Sequence, residues 1–349
     1  FPQHFLPDGR LVPGTEAHPD ELVTIAEAMG PSGLMQFVPN SNDLRSEFGL
    51  YHRVAKASGG RVLFSTGVSE DPNSGKLMAG AIDMMRADGA DITAMCIPRP
   101  SGFVVGLQNE LLYRGRSWEE LRAMPFPDRL EAINDAAFAA RLIRDGGRPI
   151  TPVEWVFPLG AGVPQYTSGP DDSLAALAAA AGEQPVETYL RLLHDNDGAA
   201  LFTVQFFNRS IDALEDLLTS DWALPGLGDA GAHVGQIMDA GWTTFVMRYW
   251  ARERGVYSVE EAVRRMTSAP AAVVGLTDRG TLEVGQRAEL NVIDYADLHE
   301  QTPEYVRDVP GNAGRYVQRA EGFVATVCYG EVILEPDEHT GTRPGRILR

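Results

Sequence analysis

Three consecutive segments decide the fold: Val62-Leu-Phe-Ser65, then Ser74-Gly-Lys-Leu-Met-Ala-Gly-Ala-Ile-Asp-Met-Met-Arg-Ala-Asp88 closed by Gly89, then Ile92-Thr-Ala-Met-Cys-Ile97. Two apolar runs too short for helices flank a segment of helical length. A strand, a helical crossover and a second strand imply parallel pairing. The pattern extends upstream. Residues 19–29 read as a helix with Leu22, Ile25, Ala26 and Met29 on one face and Gly30 as its stop. Residues 34–38 read as a strand. Residues 42–57 read as a second helix, with Leu44, Phe48 and Val54 inward and Gly59-Gly60 ending it.

Downstream the texture is less regular. Ser117-Trp-Glu-Glu120 has the spacing of a capping box. Residues 127–144 read as one long helix, and residues 151–170, rich in proline and glycine, as a loop. Helices are expected at 171–181, 185–193 and 211–218. Strands are expected at 201–206 and 222–227. Helices near 243–254, 259–267 and 270–274 follow, the second opened by a further capping box, Ser258-Val-Glu-Glu261. That makes five parallel strands, where a closed (β/α)₈ barrel needs eight. The arrangement is either an open α/β sheet or the later part of a barrel. From Gly280 the pattern changes. Gly280-Thr-Leu-Glu-Val-Gly285 reads as a hairpin arm. Residues 288–294, 323–328 and 331–334 read as strands without intervening helices, hence antiparallel. Residues 336–349 read as a wrapping arm. The expected division is 1–279 and 280–349.

Composition bounds the function. The chain has 349 residues, 44% hydrophobic, with 30 Lys+Arg against 48 Asp+Glu and a net charge of -18. So acidic a protein has no general electrostatic footprint for nucleic acid or for an anionic membrane. No apolar run approaches the ~20 residues of a membrane span. The first residues lack a basic start and an apolar stretch, so a signal peptide is not expected and a cytoplasmic location is. The first residue is Phe1 rather than Met, and the expectation is a processed chain or a fragment. Two cysteines, Cys96 and Cys328, exclude a disulfide framework and a Cys-rich zinc site.

Active-site groups of parallel strands sit just past the C-terminal strand ends. Those positions hold Asn40, Ser65 and Thr66, Cys96 and Arg99, Asn208, and Asp229. Asp229 lies in Gly226-Leu-Gly-Asp-Ala-Gly-Ala-His233, a carboxylate among small residues after an apolar strand. Such a group can ligate a metal and take a proton from metal-bound water. It can equally be a turn aspartate capping the next helix. His233 is a candidate to contact Asp229 or a developing oxyanion, or is an ordinary surface histidine. Arg99, between Pro98 and Pro100, suits bidentate capture of a substrate carboxylate, or forms an ordinary salt bridge. Asn208 is the polar strand-end candidate for substrate contact at 201–206. No H-x-H, H-x-x-x-H or E-x-x-H spacing occurs, so no self-contained metal site is legible. The Gly67–Lys76 stretch lacks phosphate-loop spacing, Asp195-Asn-Asp-Gly198 is too short for a calcium loop, and no G-x-S-x-G elbow is present.

At Gly228-Asp-Ala-Gly-Ala-His233 the chain resembles the amidohydrolase superfamily, in its N-acyl-D-amino-acid deacylase (D-aminoacylase-like) branch. Further segments agree in order: Val12-Pro-Gly-Thr15, Pro98-Arg-Pro100, Glu260-Glu-Ala-Val-Arg-Arg-Met-Thr267, Pro270-Ala-Ala, Gly275-Leu, Asp278-Arg-Gly280, Gly285-Gln-Arg-Ala-Glu-Leu-Asn-Val-Ile-Asp294 and Gly341-Thr-Arg-Pro-Gly-Arg-Ile-Leu-Arg349. The resemblance covers most of the chain. It implies an α/β fold: a partial (β/α) TIM-like barrel followed by strands of a small β-sandwich. It also implies metal-dependent hydrolysis of a linear amide, typically an N-acyl (D-)amino acid, with Asp229 carrying the proton and ligating a divalent metal, usually zinc. The implied partner is a small-molecule amide, without nucleic acid or membrane, and a homo-oligomer is compatible. Family members carry an H-x-H pair on the first barrel strand and histidines on two middle strands. Here no such pair occurs, and the matching segments read Gln36-Phe-Val-Pro39 and Phe64-Ser-Thr66. The remaining ligands are therefore expected upstream of Phe1, or the metal centre is altered. A non-catalytic scaffold and a cyclic-amide (hydantoin-type) hydrolase are the alternatives.

Overall fold

The computed structural model describes residues 5–13, 15, 17–226, 228, 233, 235–237, 239–336 and 338–347. Helix α1 (Pro19–Met29), strand β1 (Leu34–Phe37), helix α2 (Leu44–Ser58), strand β2 (Arg61–Thr66), helix α3 (Ser74–Ala87) and strand β3 (Asp91–Cys96) follow one another as the sequence pattern requires. The strands are parallel, with Phe37 opposite Phe64 and Phe64 opposite Ala94. The strand Ala223–Pro225 joins β3, also in parallel. Sheet order follows chain order without reversal. The order lacks the strand-order reversal of a doubly wound sheet.

Strand alternation explains the core. Residues two apart share a face, so Val62, Phe64, Ile92, Ala94 and Cys96 all turn toward the helices. There Phe37 stacks on Tyr51 with centroids 4.7 Å apart, and Phe64 packs tilted against Tyr51 at 5.3 Å. On the opposite face Gln36 is exposed and Leu63 and Met95 are half-buried.

The expected parallel strand at 201–206 is corrected. Strand β4 (Ser101–Gly106) runs antiparallel to Leu201–Phe207, which also pairs antiparallel with Val156–Pro158. The parallel strands are thus four rather than five among the described residues. Pro98-Arg-Pro100 turns the chain after β3 and sends β4 back along a different sheet. Leu201–Phe207 is apolar because both its faces are covered. Phe202 and Val204 enter a second core with Trp118 and Tyr189, while Leu201 joins the first. The segment expected as a loop contributes the short strand Val156–Pro158 to that sheet.

Other departures have local causes. The 127–144 helix is two, Phe126–Asn134 and Ala136–Asp145. Asp135 ends the first and caps the second, its carboxylate accepting from the Phe138 amide at 2.7 Å. Ser117 lies within the helix Arg116–Ala123, which Gly115 precedes. Its hydroxyl donates to Asp145 instead of capping. Ser258 does cap its helix, accepting from Glu261 N at 3.2 Å. The helix at 243–254 begins at Trp242 and widens into a π-helix over Val246–Glu253.

After residue 280 the strands are antiparallel. Leu290–Ile293, Phe323–Cys328 and Glu331–Glu335 form one sheet, and Glu304–Val309 pairs with Ala313–Val317. The expected hairpin arm at 280–285 is not a strand, and Leu282 and Val284 are exposed. Arg248 ties this region to the rest through Glu300, at 3.1 Å and 3.2 Å, while Arg252 donates to the Tyr295, Ala296 and Leu298 carbonyls. Among the described residues no helix is long and apolar enough to cross a membrane.

Candidate functional site

The C-terminal ends of the parallel strands converge on Pro98-Arg-Pro100 and the chain after Pro225. Arg99, expected to meet a substrate carboxylate, has no exposed side-chain surface. Its guanidinium lies 3.4 Å from the centre of the Tyr166 ring and 3.5 Å from the Asp239 carboxylate. Ser101 donates to the same carboxylate at 2.9 Å. The Tyr166 hydroxyl accepts from Gln318 Nε2 at 2.8 Å. Burial holds the Tyr166 phenol above its ordinary range, against the opposing pull of Arg99. Arg99, the expected contact for a substrate carboxylate, thus meets an internal carboxylate, Asp239.

Asn208, the expected substrate contact at 201–206, is likewise turned inward. It is buried and adopts φ of +57°. Its Nδ2 donates to the Ile97 carbonyl and its Oδ1 accepts from the Val68 amide, each at 2.9 Å. A Cβ on Gly67 would stand 2.6 Å from that Oδ1, so a larger residue there would push the Asn208 amide aside. Asn208 stitches the ends of β2 and β3 to Leu201–Phe207. Cys96 faces the helices, and burial pushes its thiol up to about 12. Burial thus favours the neutral thiol near neutral pH.

His233 is exposed, and its carbonyl accepts from the Gln236 and Ile237 amides. Asp229 lies outside the described residues. The described residues bracketing it are fixed. Gly226 N donates to the Cys96 carbonyl at 2.8 Å, and Val104 N donates to the Gln236 carbonyl at 2.6 Å. Asp239, Ser101 and Tyr166 were not legible beforehand. Ser101 and Asp239 are 138 residues apart, and neither sits in a recognisable spacing. The only signal was that Pro98-Arg-Pro100 puts a cation at a strand end.

Among the described residues no group of three or more His, Cys, Asp or Glu side chains could hold a metal ion. The donor set on the described strand ends, amide, hydroxyl and a high-pKa thiol, does not fit a zinc centre.

The sequence profile of the Amidohydrolase family matches residues 47–334. The chain belongs to the amidohydrolase family. The chain is 32% identical over 109 residues to an N-acyl-D-aspartate deacylase of Alcaligenes xylosoxydans xylosoxydans, an alignment covering 31% of this chain and 20% of that protein. The N-acyl-D-glutamate deacylase of Bordetella bronchiseptica, solved with zinc and a phosphonate mimic of the tetrahedral intermediate, superposes with a TM-score of 0.57 at 18% identity. That match covers 97% of this chain and 60% of the other. A D-aminoacylase studied for its binuclear metal centre gives a TM-score of 0.56 at 17% identity, covering 95% of this chain and 59% of that one. At those identities the two structures speak for the fold. The amidohydrolase chain spans about 60% of the length of the structures it matches.

Proposed function

We propose that this amidohydrolase hydrolyses a linear amide C–N bond, most simply that of an N-acyl (D-)amino acid. We also read the parallel strands of 1–279 as part of a (β/α) barrel and the strands of 280–349 as part of a β-sandwich. The observation that supports the reading is the bracketed segment at the C-terminal end of the strand Ala223–Pro225, pinned to β3 at Gly226 and to β4 at Gln236. In this fold class that is where reacting groups stand. The segment carries the one strand-end carboxylate, Asp229, and His233.

The proposed role of Asp229 is to take a proton from the attacking water and return it to the leaving nitrogen, so that carboxylic acid and amine are released. His233 is proposed to donate to the oxyanion as the carbonyl becomes tetrahedral. The divalent metal of the neighbours finds no ligand set among the described residues, and no step here depends on it. A second reading, a scaffold that has lost catalysis, rests on the segments Gln36-Phe-Val-Pro39 and Phe64-Ser-Thr66, which carry no histidine.

A panel of N-acyl-D-, N-acyl-L-amino acids and hydantoins, assayed with and without added zinc, separates these readings. Hydrolysis of an N-acyl amino acid that falls about 10²–10⁴-fold in Asp229→Asn supports the proposal. Turnover confined to hydantoins reassigns the substrate class. Absence of turnover on the whole panel favours the scaffold.

A further inference from the structure

Burying an ion pair costs several kcal/mol of desolvation per charge, and mutual attraction recovers it only in good geometry. Arg99 and Asp239 form such a pair, with side-chain exposures of 0% and 5%. A hydrophobic pair would fill the same space with less desolvation. What an ion pair adds is direction: a guanidinium and a carboxylate meet in few orientations.

The surroundings fix those orientations. The guanidinium plane is held against Tyr166, whose hydroxyl is in turn held by Gln318. Pro98 and Pro100 restrict the backbone on either side of Arg99. Trp250 Nε1 donates to the Pro98 carbonyl at 2.6 Å. The Asp239 carboxylate also accepts from Ser101, at the start of β4. Asp239 stands at the downstream end of the stretch that begins at Gly226 and contains Asp229. Next to it, Gln236 and Gly235 are gripped by Val104 N at 2.6 Å and by Asn109 Nδ2 at 3.3 Å. The Asp239 carbonyl accepts from Trp242 N at 3.1 Å, opening the next helix.

We infer that the Arg99–Asp239–Ser101 cluster anchors the described residues 235–237 and 239–242, and that Arg99 and Asp239 are positioning residues for the proposed hydrolytic site. The anchor stands on the geometry alone. Its bearing on turnover rests on the hydrolase reading above.

Hydrogen exchange tests the anchor on the full chain. Asp239→Asn removes the charge and keeps an acceptor for Ser101. It is expected to speed exchange about tenfold at the amides of Val104, Gln236, Ile237 and Trp242, leaving β2 and β3 unchanged. Ser101→Ala should move the same amides in the same direction by a smaller factor. Unaltered exchange in both variants overturns the inference, as does equal acceleration in β2 and β3, which would mark general core support.

If an N-acyl amino acid is turned over, kcat should fall about tenfold in Asp239→Asn with KM held within about twofold. Accelerated exchange with unchanged kcat removes the positioning role. Absence of turnover defeats the hydrolase reading without touching the exchange result.

Discussion

β2 and the strand Leu201–Phe207 look alike as sequence and behave differently as structure. Each is a short apolar run next to a helix. β2 is parallel to both neighbours, and Val62 and Phe64 face the helices while Leu63 is only half-buried. Leu201–Phe207 is antiparallel to both of its partners, with five consecutive residues buried. An apolar run reports that a strand is covered, and on how many faces. Its direction depends on where its partner's chain came from, which is a non-local fact. Pro98-Arg-Pro100, turning β3 into β4, set the direction of a strand that arrives a hundred residues later.

The most forceful way to probe the difference is to empty each core. Phe64 is fully buried against Phe48 and Tyr51, and Phe202 is fully buried 4.8 Å from the Tyr189 ring. Phe64→Ala and Phe202→Ala are each expected to cost about 3–5 kcal/mol in urea unfolding. If the two cores form one cooperative unit, both variants shift a single transition. If each substitution splits off its own transition, the regions are separate foldons.

A smaller loss is expected from crowding the antiparallel sheet alone. A Cβ on Gly102 would lie 1.8 Å from the Val204 carbonyl oxygen, a backbone atom. Gly102→Ala should therefore force β4 away from Leu201–Phe207 and cost about 1–3 kcal/mol. Because β4 also holds Gln236, exchange at the Val104 amide should rise with it. A neutral result would mean that the two strands separate freely.

How much of this was legible follows from which effects are local. The helices α1 to α3 and strands β1 to β3 fall within a residue or two of expectation, because caps, glycine stops and periodicity are written into adjacent residues. Residues 211–218 form the expected helix, capped by Ser210, which accepts from Ala213 N. The split at Asp135 escaped notice because one aspartate does two jobs that a periodicity count reads as continuity. Within the candidate site the sequence named Arg99, Asn208 and His233 as chemistry-bearing. It had no access to their orientation. Asn208 and Arg99 spend their polar groups inward, on Val68, Ile97 and Asp239. Asp239 became visible only once β4 brought Ser101 beside it.

The gentlest tests concern how helices are fastened on the two sides. On the parallel side, Ser258 caps Val259–Met266, and Ser258→Ala should cost about 1 kcal/mol. In that helix Glu261 meets Arg264 and Arg265, while Arg265 donates to the Leu218, Ser220 and Ala223 carbonyls beneath the fourth parallel strand. The Arg264 hydrogen bond, helped by Arg265 and opposed by burial, pulls the Glu261 carboxyl down to about 2 from 4.5. On the antiparallel side Glu183 meets Arg191 and Thr188, which lower its carboxyl as well, by a smaller shift.

A carboxyl depressed on folding adds stability that is complete above its unfolded pKa and vanishes as pH falls through the folded one. The stability gap between the native chain and Glu261→Gln should therefore be largest above pH 4.5 and close toward pH 2. The corresponding gap for Glu183→Gln should have the same sign and be smaller. Urea midpoints measured from pH 6 to pH 2 decide it. A gap for Glu261→Gln that stays constant with pH would show that the arginines steady the helix by packing, and that its hold on the parallel strand is not electrostatic.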